Sequence, residues 1–382
     1  MDKKVEFLYL DEEDMLDIGV LDSDHCREVI EEVLVLISKG DYLMGGRDKN
    51  EHGIEVIFPK KSEIQGFPLA DVRDRRFMAM PAYLGGRFHL AGEKWYGSNG
   101  RNHEKGLPRS ILMLVLNDVE TGKPLAIMSA NLLSAVRTGA MPGVAAKYLA
   151  RKDSKVISLI GAGVMNKSCI VNILPYFKEV QTIKIKGRSP ESKTAKSLAK
   201  FIHEKYPWVK NVKICSSLKD TVENADIISE AVSAQHNEWP VFDGKWLKPG
   251  CTIISSGTME MDREFIAKHM TKVVDNIHMY ENYINTYQHC DKKTGKIIST
   301  GTVGMFFVNM IREGKINEDE VHSLGDIIRG IIPARISDDE MFLISTGGMP
   351  VSDIAWGYEC YKKALVMGKG TKLKLWNEPH LF

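Results

Sequence analysis

The middle of the chain alternates short apolar segments with longer ones in which apolar residues recur every three or four positions. Residues 156–160 are apolar or small and predict a buried parallel strand, which leads into Gly161-Ala-Gly163 and a helical pattern. Further elements are predicted downstream, with strands at 182–186, 212–215, 226–229, 252–255 and 272–274, and helices at 167–177, 191–205 and 217–224. Strands that alternate with helices at this spacing predict an α/β fold with a doubly wound parallel sheet.

Both ends of the chain follow other patterns. The N-terminal part predicts a strand at 7–10, a helix at 23–39, a β-rich region at 42–122 and a long helix at 131–150. The C-terminal part predicts helices at 303–313, 318–329 and 352–367 and a strand at 340–345. We expect this last strand and helix to return to the N-terminal region, because the β-rich segment is not closed by its own sequence.

Composition narrows the class of ligand. The 382 residues include 51 Lys+Arg and 50 Asp+Glu, a net charge of +1, so neither nucleic acid nor a membrane surface is an expected partner and a small molecule is. No apolar run approaches the roughly 18 residues of a membrane span. The six cysteines are scattered without a C-x-x-C pair, which favours reduced thiols and the cytoplasm. His236 and His289 have no partners at ligand spacing, so no metal site is expected.

The glycine turn predicts a dinucleotide site. Gly161 permits a tight turn, and Gly163 allows a pyrophosphate to approach the backbone at the positive end of the next helix. Asn166 stands where such turns carry a third glycine. This departure predicts a helix slightly farther from the strand.

The end of the second predicted strand indicates which cofactor is preferred. Gly187 occupies the position where a carboxylate would bind the ribose hydroxyls of NAD. Arg188 and Ser189 follow, with Lys193 close behind, and these side chains are suited to a 2′-phosphate. NADP(H) is therefore favoured over NAD(H). The alternative is that Arg188 is a solvated loop residue and that both cofactors bind.

A set of short motifs in fixed order gives the chain a resemblance to a known family. The motifs are Met80-Pro-Ala-Tyr-Leu-Gly-Gly86, Gly92-Glu-Lys94, Glu120-Thr-Gly-Lys-Pro-Leu-Ala126, Ser134-Ala-Val-Arg-Thr-Gly-Ala140, Gly161-Ala-Gly163, Phe242-Asp-Gly-Lys-Trp-Leu-Lys-Pro-Gly250 and Gly348-Met-Pro-Val-Ser-Asp353. The most discriminating part is Arg137-Thr-Gly-Ala140 followed by the glycine turn. On these motifs the sequence resembles the ornithine cyclodeaminase/mu-crystallin family over residues 7–370.

The resemblance implies an architecture and a site. A central Rossmann NAD(P)-binding domain at 132–325 is implied, with a β-rich α+β domain at 1–131 and 326–382 that binds substrate and forms a homodimer. In the cleft between domains, Arg47, Lys94 and Arg137 are implied to hold the carboxylate of an amino or imino acid. Asp353 is implied to act near the nicotinamide. The residues implied to contact the cofactor are Thr138, Gly161, Ala162, Gly163, Val164, Met165, Val232, Ser233 and Gly348, besides Arg188, Ser189 and Lys193.

The sequence also allows a purely structural role for the arginines that are implied to bind the substrate carboxylate. Arg137, on a helix face of small residues, could also be a member of a buried ion pair, and Arg47 lies in a charged loop that could simply be solvated.

Two departures from the family pattern bear on the reaction. Ornithine cyclodeaminases are thought to use an aspartate after the fifth Rossmann strand, and Thr258 falls on it when Glu264 is matched to the family glutamate. A hydroxyl cannot replace a carboxylate as a base near neutral pH. A second acid of those enzymes matches Met78. If this loop is matched to the family pattern in a different alignment, Glu260 or Asp262 could supply the carboxylate.

Three functions therefore compete. We favour a reductase or dehydrogenase that moves a hydride between a nicotinamide and the C–N bond of an amino or imino acid, with Lys94 or solvent as proton donor. The alternatives are an ornithine cyclodeaminase, which also releases ammonia, and a protein that binds NADP or another ligand without turnover.

Overall fold

A computed structural model describes residues 3–72, 74–234, 238–286 and 301–380. Its strands are β1 (Val5–Leu10), β2 (Tyr42–Met44), β3 (Ile54–Ile57), β4 (Arg76–Leu84), β5 (Leu90–Ser98), β6 (Ser110–Asp118), β7 (Pro124–Ser129), β8 (Val156–Ile160), β9 (Thr182–Lys186), β10 (Asn211–Ile214), β11 (Ile227–Glu230), β12 (Val241–Phe242), β13 (Thr252–Ser255), β14 (Glu260–Met261), β15 (Met270–Val274), β16 (Val321–Ser323), β17 (Met341–Ser345) and β18 (Thr371–Trp376). Its α-helices are α1 (Glu12–Asp17), α2 (Ser23–Ser38), α3 (Asn131–Leu149), α4 (Val164–Ile173), α5 (Lys193–Lys205), α6 (Leu218–Val222), α7 (Arg263–His269), α8 (Ile277–Thr286), α9 (Val303–Arg312), α10 (Leu324–Ile328) and α11 (Pro350–Met367). His236 and His289, expected to be structural, lie outside the described residues.

The first compact unit comprises residues 1–22, 39–137 and 348–382. Its sheet has the order β18-β1-β7-β6-β5-β4-β2, with β3 also on β4. β1 pairs with β7 in parallel and the other pairs are antiparallel. Helix α11 packs on one face, close enough that a Cβ on Gly357 would lie 2.2 Å from Leu114 Cδ2. The expected α+β region built from both chain ends is confirmed.

The second compact unit comprises residues 23–38 and 138–347. Its sheet has the order β10-β9-β8-β11-β13-β17-β15-β16, and every pair is parallel. The central strands β11 and β13 are buried throughout, because helices cover both faces of such a sheet. The doubly wound sheet is confirmed, and its strand order reverses between β8 and β11, where such sheets bind ligands.

Several predicted elements need correction. The strand expected at 340–345 does not return to the first unit: as β17 it pairs with β13 and β15. The first unit therefore resumes at Gly348 rather than at residue 326, and α2 is grouped with the second unit. The helix expected at 318–329 is interrupted, since Val321–Ser323 pairs with β15 as an edge strand.

Among the helices of the described residues, none combines the length and the apolar character that crossing a membrane requires.

Candidate active site

Three elements of the first unit bring a lysine, an arginine and an aspartate together. Lys94 lies on the buried face of β5, whose alternation also turns Leu90 and Gly92 inward. Arg137 lies in the second turn of α3, a helix whose start is fixed to β6 by Asn131. Asp353 lies in the first turn of α11. Lys94, Arg137 and Asp353 together form the charged cluster.

The charged cluster is connected by direct hydrogen bonds. Lys94 Nζ donates to Asp353 Oδ2 at 2.8 Å, and Arg137 Nε donates to Asp353 Oδ1 at 2.8 Å. Ser134 Oγ accepts from Lys94 Nζ at 3.4 Å and from Arg137 Nη2 at 3.3 Å. All three charged side chains are buried, with exposures of 4% for Lys94, 3% for Arg137 and 0% for Asp353. Two cations thus share one carboxylate.

Burial and mutual attraction set the pKa values in the charged cluster. Burial and the positive charge of Arg137 lower the pKa of Lys94 to about 8, and Asp353 opposes this shift. Burial would raise the pKa of Asp353, but the charges of Arg137 and Lys94 outweigh it and keep that pKa below its usual value. Near neutral pH the charged cluster therefore carries one excess positive charge.

Two further residues near the charged cluster had no signal in the sequence. His52 precedes Gly53, where a Cβ would lie 2.8 Å from Met80 Cγ, so this segment is pressed against β4. Burial, followed by the charges of Lys94 and Arg137, lowers the pKa of His52 to about 3, so this imidazole is neutral. Arg76, at the start of β4, also lowers that pKa.

The predicted substrate residue Arg47 and the predicted cofactor residues Gly348 and Thr138 have different positions. Arg47 is exposed in the turn that follows β2. Gly348 lies against the charged cluster, since a Cβ on Gly348 would be 3.2 Å from Arg137 Nη1. Thr138 follows Arg137 directly in α3 and is half-buried.

In the second unit, the glycine turn has the geometry that a pyrophosphate needs. Gly161 has a φ of +93°, and a Cβ there would lie 2.9 Å from Ala231 O. A Cβ on Gly163 would have no atom within 4 Å, so the space before α4 is open. The first-turn N–H groups of α4 lack intrahelical partners, and Val164 is exposed while Ala162 and Met165 are half-buried. These residues fit a dinucleotide.

Asn166 ties α4 to the sheet. Its Nδ2 donates to Ile160 O at 2.8 Å and to Gly161 O at 2.7 Å, and its Oδ1 accepts from Ser229 Oγ at 2.7 Å. The helix start is therefore held by hydrogen bonds at the position where a third glycine would allow close packing.

The loops after β11 and β13 meet through Thr258. Its N–H donates to Val232 O at 2.9 Å and its Oγ1 donates to the same oxygen at 3.0 Å. Ser233 is exposed in the loop after β11. The two alternative carboxylates are both engaged, because Glu260 pairs with Arg263 at 2.6 Å and Asp262 caps α7.

The turn after β9 exposes the residues predicted to select the cofactor. Arg188, Ser189 and Lys193 are all exposed, the last as the first residue of α5. Gly187 is buried at the end of the strand, and the carboxylate of Glu191 pairs with Lys196. Within the described residues, no cluster of three or more His, Cys, Asp or Glu side chains could hold a metal ion.

A doubly wound sheet with a glycine turn and a separate unit that carries buried charges define a two-domain dinucleotide-binding protein. A model of the ornithine cyclodeaminase/mu-crystallin family matches residues 21–367, and the chain belongs to that family.

Three similar proteins span nearly the whole chain. The chain is 26% identical over 376 residues to the N-((2S)-2-amino-2-carboxyethyl)-L-glutamate dehydrogenase of Staphylococcus aureus, covering 97% of this chain and 99% of that protein. The structure of Thermococcus litoralis Δ1-pyrroline-2-carboxylate reductase with NADH and L-proline matches with a TM-score of 0.74 and 26% identity, covering 96% of this chain and 99% of that one. An archaeal alanine dehydrogenase dimer with bound NAD matches with a TM-score of 0.74 and 25% identity, covering 97% and 100%.

Proposed function

We propose that this protein is an NAD(P)-dependent oxidoreductase that transfers a hydride to or from the C–N bond of an amino or imino acid. The observation that carries the proposal is the charged cluster, in which Lys94 and Arg137 share the carboxylate of Asp353 and leave one positive charge in a buried place. Such an excess is costly unless an anion neutralises it. The carboxylate of an amino or imino acid supplies that anion, and the dehydrogenase and reductase similar to this chain support the reaction class.

In the proposed mechanism each residue of the charged cluster has a distinct task. Arg137 pairs with the substrate carboxylate through its planar guanidinium, and Lys94 adds a second charged donor. Asp353 fixes both side chains, which orients the C–N bond. When bound, the nicotinamide supplies or accepts the hydride. Lys94, with a pKa of about 8, can donate a proton to the substrate nitrogen near neutral pH. Arg47 remains a predicted third donor.

Two positions disfavour the cyclodeaminase alternative. Thr258 uses its hydroxyl on Val232 O and brings no carboxylate to the loop after β13. Met78 is buried in β4, where Tyr96 Oη donates to its sulfur at 3.1 Å. Ammonia loss needs an acid or base, and neither position offers one.

A turnover screen tests the proposed function. We expect the purified protein to oxidise NADPH or NADH with members of a panel of cyclic and linear imino acids, measured by cofactor absorbance with ammonia assayed in parallel. Ammonia released from ornithine without net cofactor consumption would instead support the cyclodeaminase. Cofactor binding without turnover of any substrate would favour the non-catalytic alternative.

We also propose that NADP(H) is preferred over NAD(H), although the similar structures hold NAD or NADH. The support is local. Gly187 brings no carboxylate to the end of β9, Glu191 is paired with Lys196, and Arg188 is exposed beside the start of α5. A 2′-phosphate at this place would meet a guanidinium and the positive end of a helix.

Replacing Arg188 with alanine is therefore expected to weaken NADPH binding about tenfold or more, the value of one charge-assisted contact, while NADH binding changes little. Fluorescence titration of both cofactors measures this. Lys200→Ala, which removes an exposed cation from the helix α5 that follows this turn, is the matched control. An unchanged NADPH affinity, or a wild-type preference for NADH, would refute the proposal.

We further propose that the first unit binds substrate and forms a homodimer, as the archaeal dimer suggests. The support is an apolar surface on the sheet face opposite the buried one. Strand register places Val56 beside Phe77 and Trp95 beside Met113, and the Phe77 and Trp95 rings stack with centroids 5.9 Å apart. Val56, Phe77 and Met113 are exposed, and exposed apolar surface of this kind marks interfaces. A monomer mass in sedimentation would contradict the dimer.

A further inference from the structure

Glu230 is a buried carboxylate at the centre of the second unit. It is the last residue of β11, a strand flanked in the sheet by β8 and β13, and it is fully buried. A carboxylate removed from water requires hydrogen-bond donors, and the chain segments at the ends of β11 and β13 supply them.

The donors come from the loop after β11 and from the last residue of β13. Val232 N donates to Glu230 Oε1 at 2.6 Å, and Ser255 Oγ donates to Oε2 at 2.7 Å. The backbone N–H groups of Gly257 and Thr258 also favour the ionised carboxylate, because they lower the pKa of Glu230. A Cβ on Gly257 would lie 2.6 Å from Glu230 Oε1 and 2.4 Å from Val232 N, so this close approach requires glycine.

These loops border the dinucleotide-type turn. The loop after β11 lies against Gly161, where a Cβ would meet Ala231 O at 2.9 Å and Val232 Cγ2 at 3.2 Å. Both loops leave the carboxyl ends of parallel strands next to the point where the strand order reverses. The conformation of these two loops therefore determines the shape of one wall of the dinucleotide site.

We propose that Glu230 is a positioning residue for the cofactor, whose ionised carboxylate draws the loops after β11 and β13 together into the conformation that binds a nicotinamide dinucleotide. This inference rests on the proposed function and adds a residue to its site. Glu230 touches the loops and not the cofactor, so its effect is on affinity through loop conformation.

The ionised form is the one that matches the surrounding donors. A carboxylate accepts only, whereas a protonated carboxyl presents one O–H donor to neighbours that are themselves donors. Burial raises the pKa of Glu230 to about 7 despite the bonds from Ser255 and Val232. From α4, the thiol of Cys169 faces Glu230, and burial raises the pKa of that thiol to about 12, so it stays neutral. Cofactor affinity should therefore increase as the pH rises through about 7.

The test is a fluorescence titration with NADH, which does not itself titrate between pH 6 and 8.5. We expect wild-type affinity to rise about tenfold across this range, as one buried hydrogen bond is regained. Glu230→Gln, which keeps the shape but adds donors, should bind about tenfold more weakly at pH 8.5 and show no pH dependence. Glu264→Gln, on an exposed carboxylate of the same unit, should match the wild type.

Ser255→Ala gives a second test, because it removes one donor without changing Glu230. Loss of that bond should move the midpoint of the affinity profile upward by about one pH unit, a change that a purely structural role would not produce. A flat wild-type profile, or an unmoved midpoint in Ser255→Ala, overturns the inference even if Glu230→Gln does not fold. A wild type that binds no NADH or NADPH at any pH would instead overturn the proposed function.

Discussion

Replacing Arg137 with methionine is expected to reduce kcat/KM for imine reduction about 100-fold to 1,000-fold, which corresponds to ~3–4 kcal/mol for a buried charged contact. Of the side chains in the charged cluster, the guanidinium of Arg137 is best suited to form a bidentate pair with a carboxylate. Stability should change by less than about 2 kcal/mol, because Lys94 and Asp353 remain a balanced pair at 2.8 Å. Turnover and thermal unfolding are measured on the same preparation.

The pH profile of this variant provides an independent check. In the wild type, Lys94 is protonated below a pKa of about 8, so imine reduction should fall as the pH rises through that value. Arg137 contributes to lowering that pKa, and its removal should move the falling limb to higher pH. Arg109→Met, which removes an exposed arginine bound to Asp74, is the control. Near-normal turnover in Arg137→Met would remove Arg137 from the substrate site.

The sequence predicts the second unit well, because its signals are local. Residues 156–160 and 252–255 are short, largely apolar or small runs, which are typical of strands buried on both faces, and residues 182–186 alternate apolar and polar positions. All three ranges match the observed strands. The missed strands lack that signal. In β5, glycines and charges interrupt the apolar pattern, and β18 is an exposed strand at the edge of the sheet. β16 falls inside a predicted helix, because its three residues form a strand only by pairing with β15, which is distant in sequence.

The site residues likewise differ in whether a local sequence signal identifies them. Motifs brought Lys94, Arg137 and Asp353 to attention, but no spacing shows that one carboxylate binds both cations across 259 and 216 residues of chain. Glu230 and His52 carried no motif. Their environments arise from backbone N–H groups and charges that only the fold assembles around them.

Replacing Asp353 with asparagine is expected to be the most destabilising change in the charged cluster, with a loss of about 3–5 kcal/mol in the free energy of unfolding at pH 6. The reason is charge balance. Arg137→Met takes the charged cluster from one excess positive charge to none, whereas Asp353→Asn takes it to two, with both cations still buried. Urea unfolding measures the difference. Glu359→Gln, on the same helix but paired with the more exposed Arg87 and Lys362, should cost about 1 kcal/mol or less.

The loss in Asp353→Asn should also shrink as the pH rises. The folded-state pKa of Lys94 lies below its usual value, so folding favours the neutral amine and this group contributes more stability as the pH increases above its folded-state pKa. Asp353 raises the pKa of Lys94, so in the variant Lys94 loses its proton at a lower pH and gains that contribution earlier. The stability difference from the wild type should therefore be smaller at pH 9 than at pH 6. An equal difference at the two pH values would mean that Lys94 and Asp353 are not coupled in the folded protein.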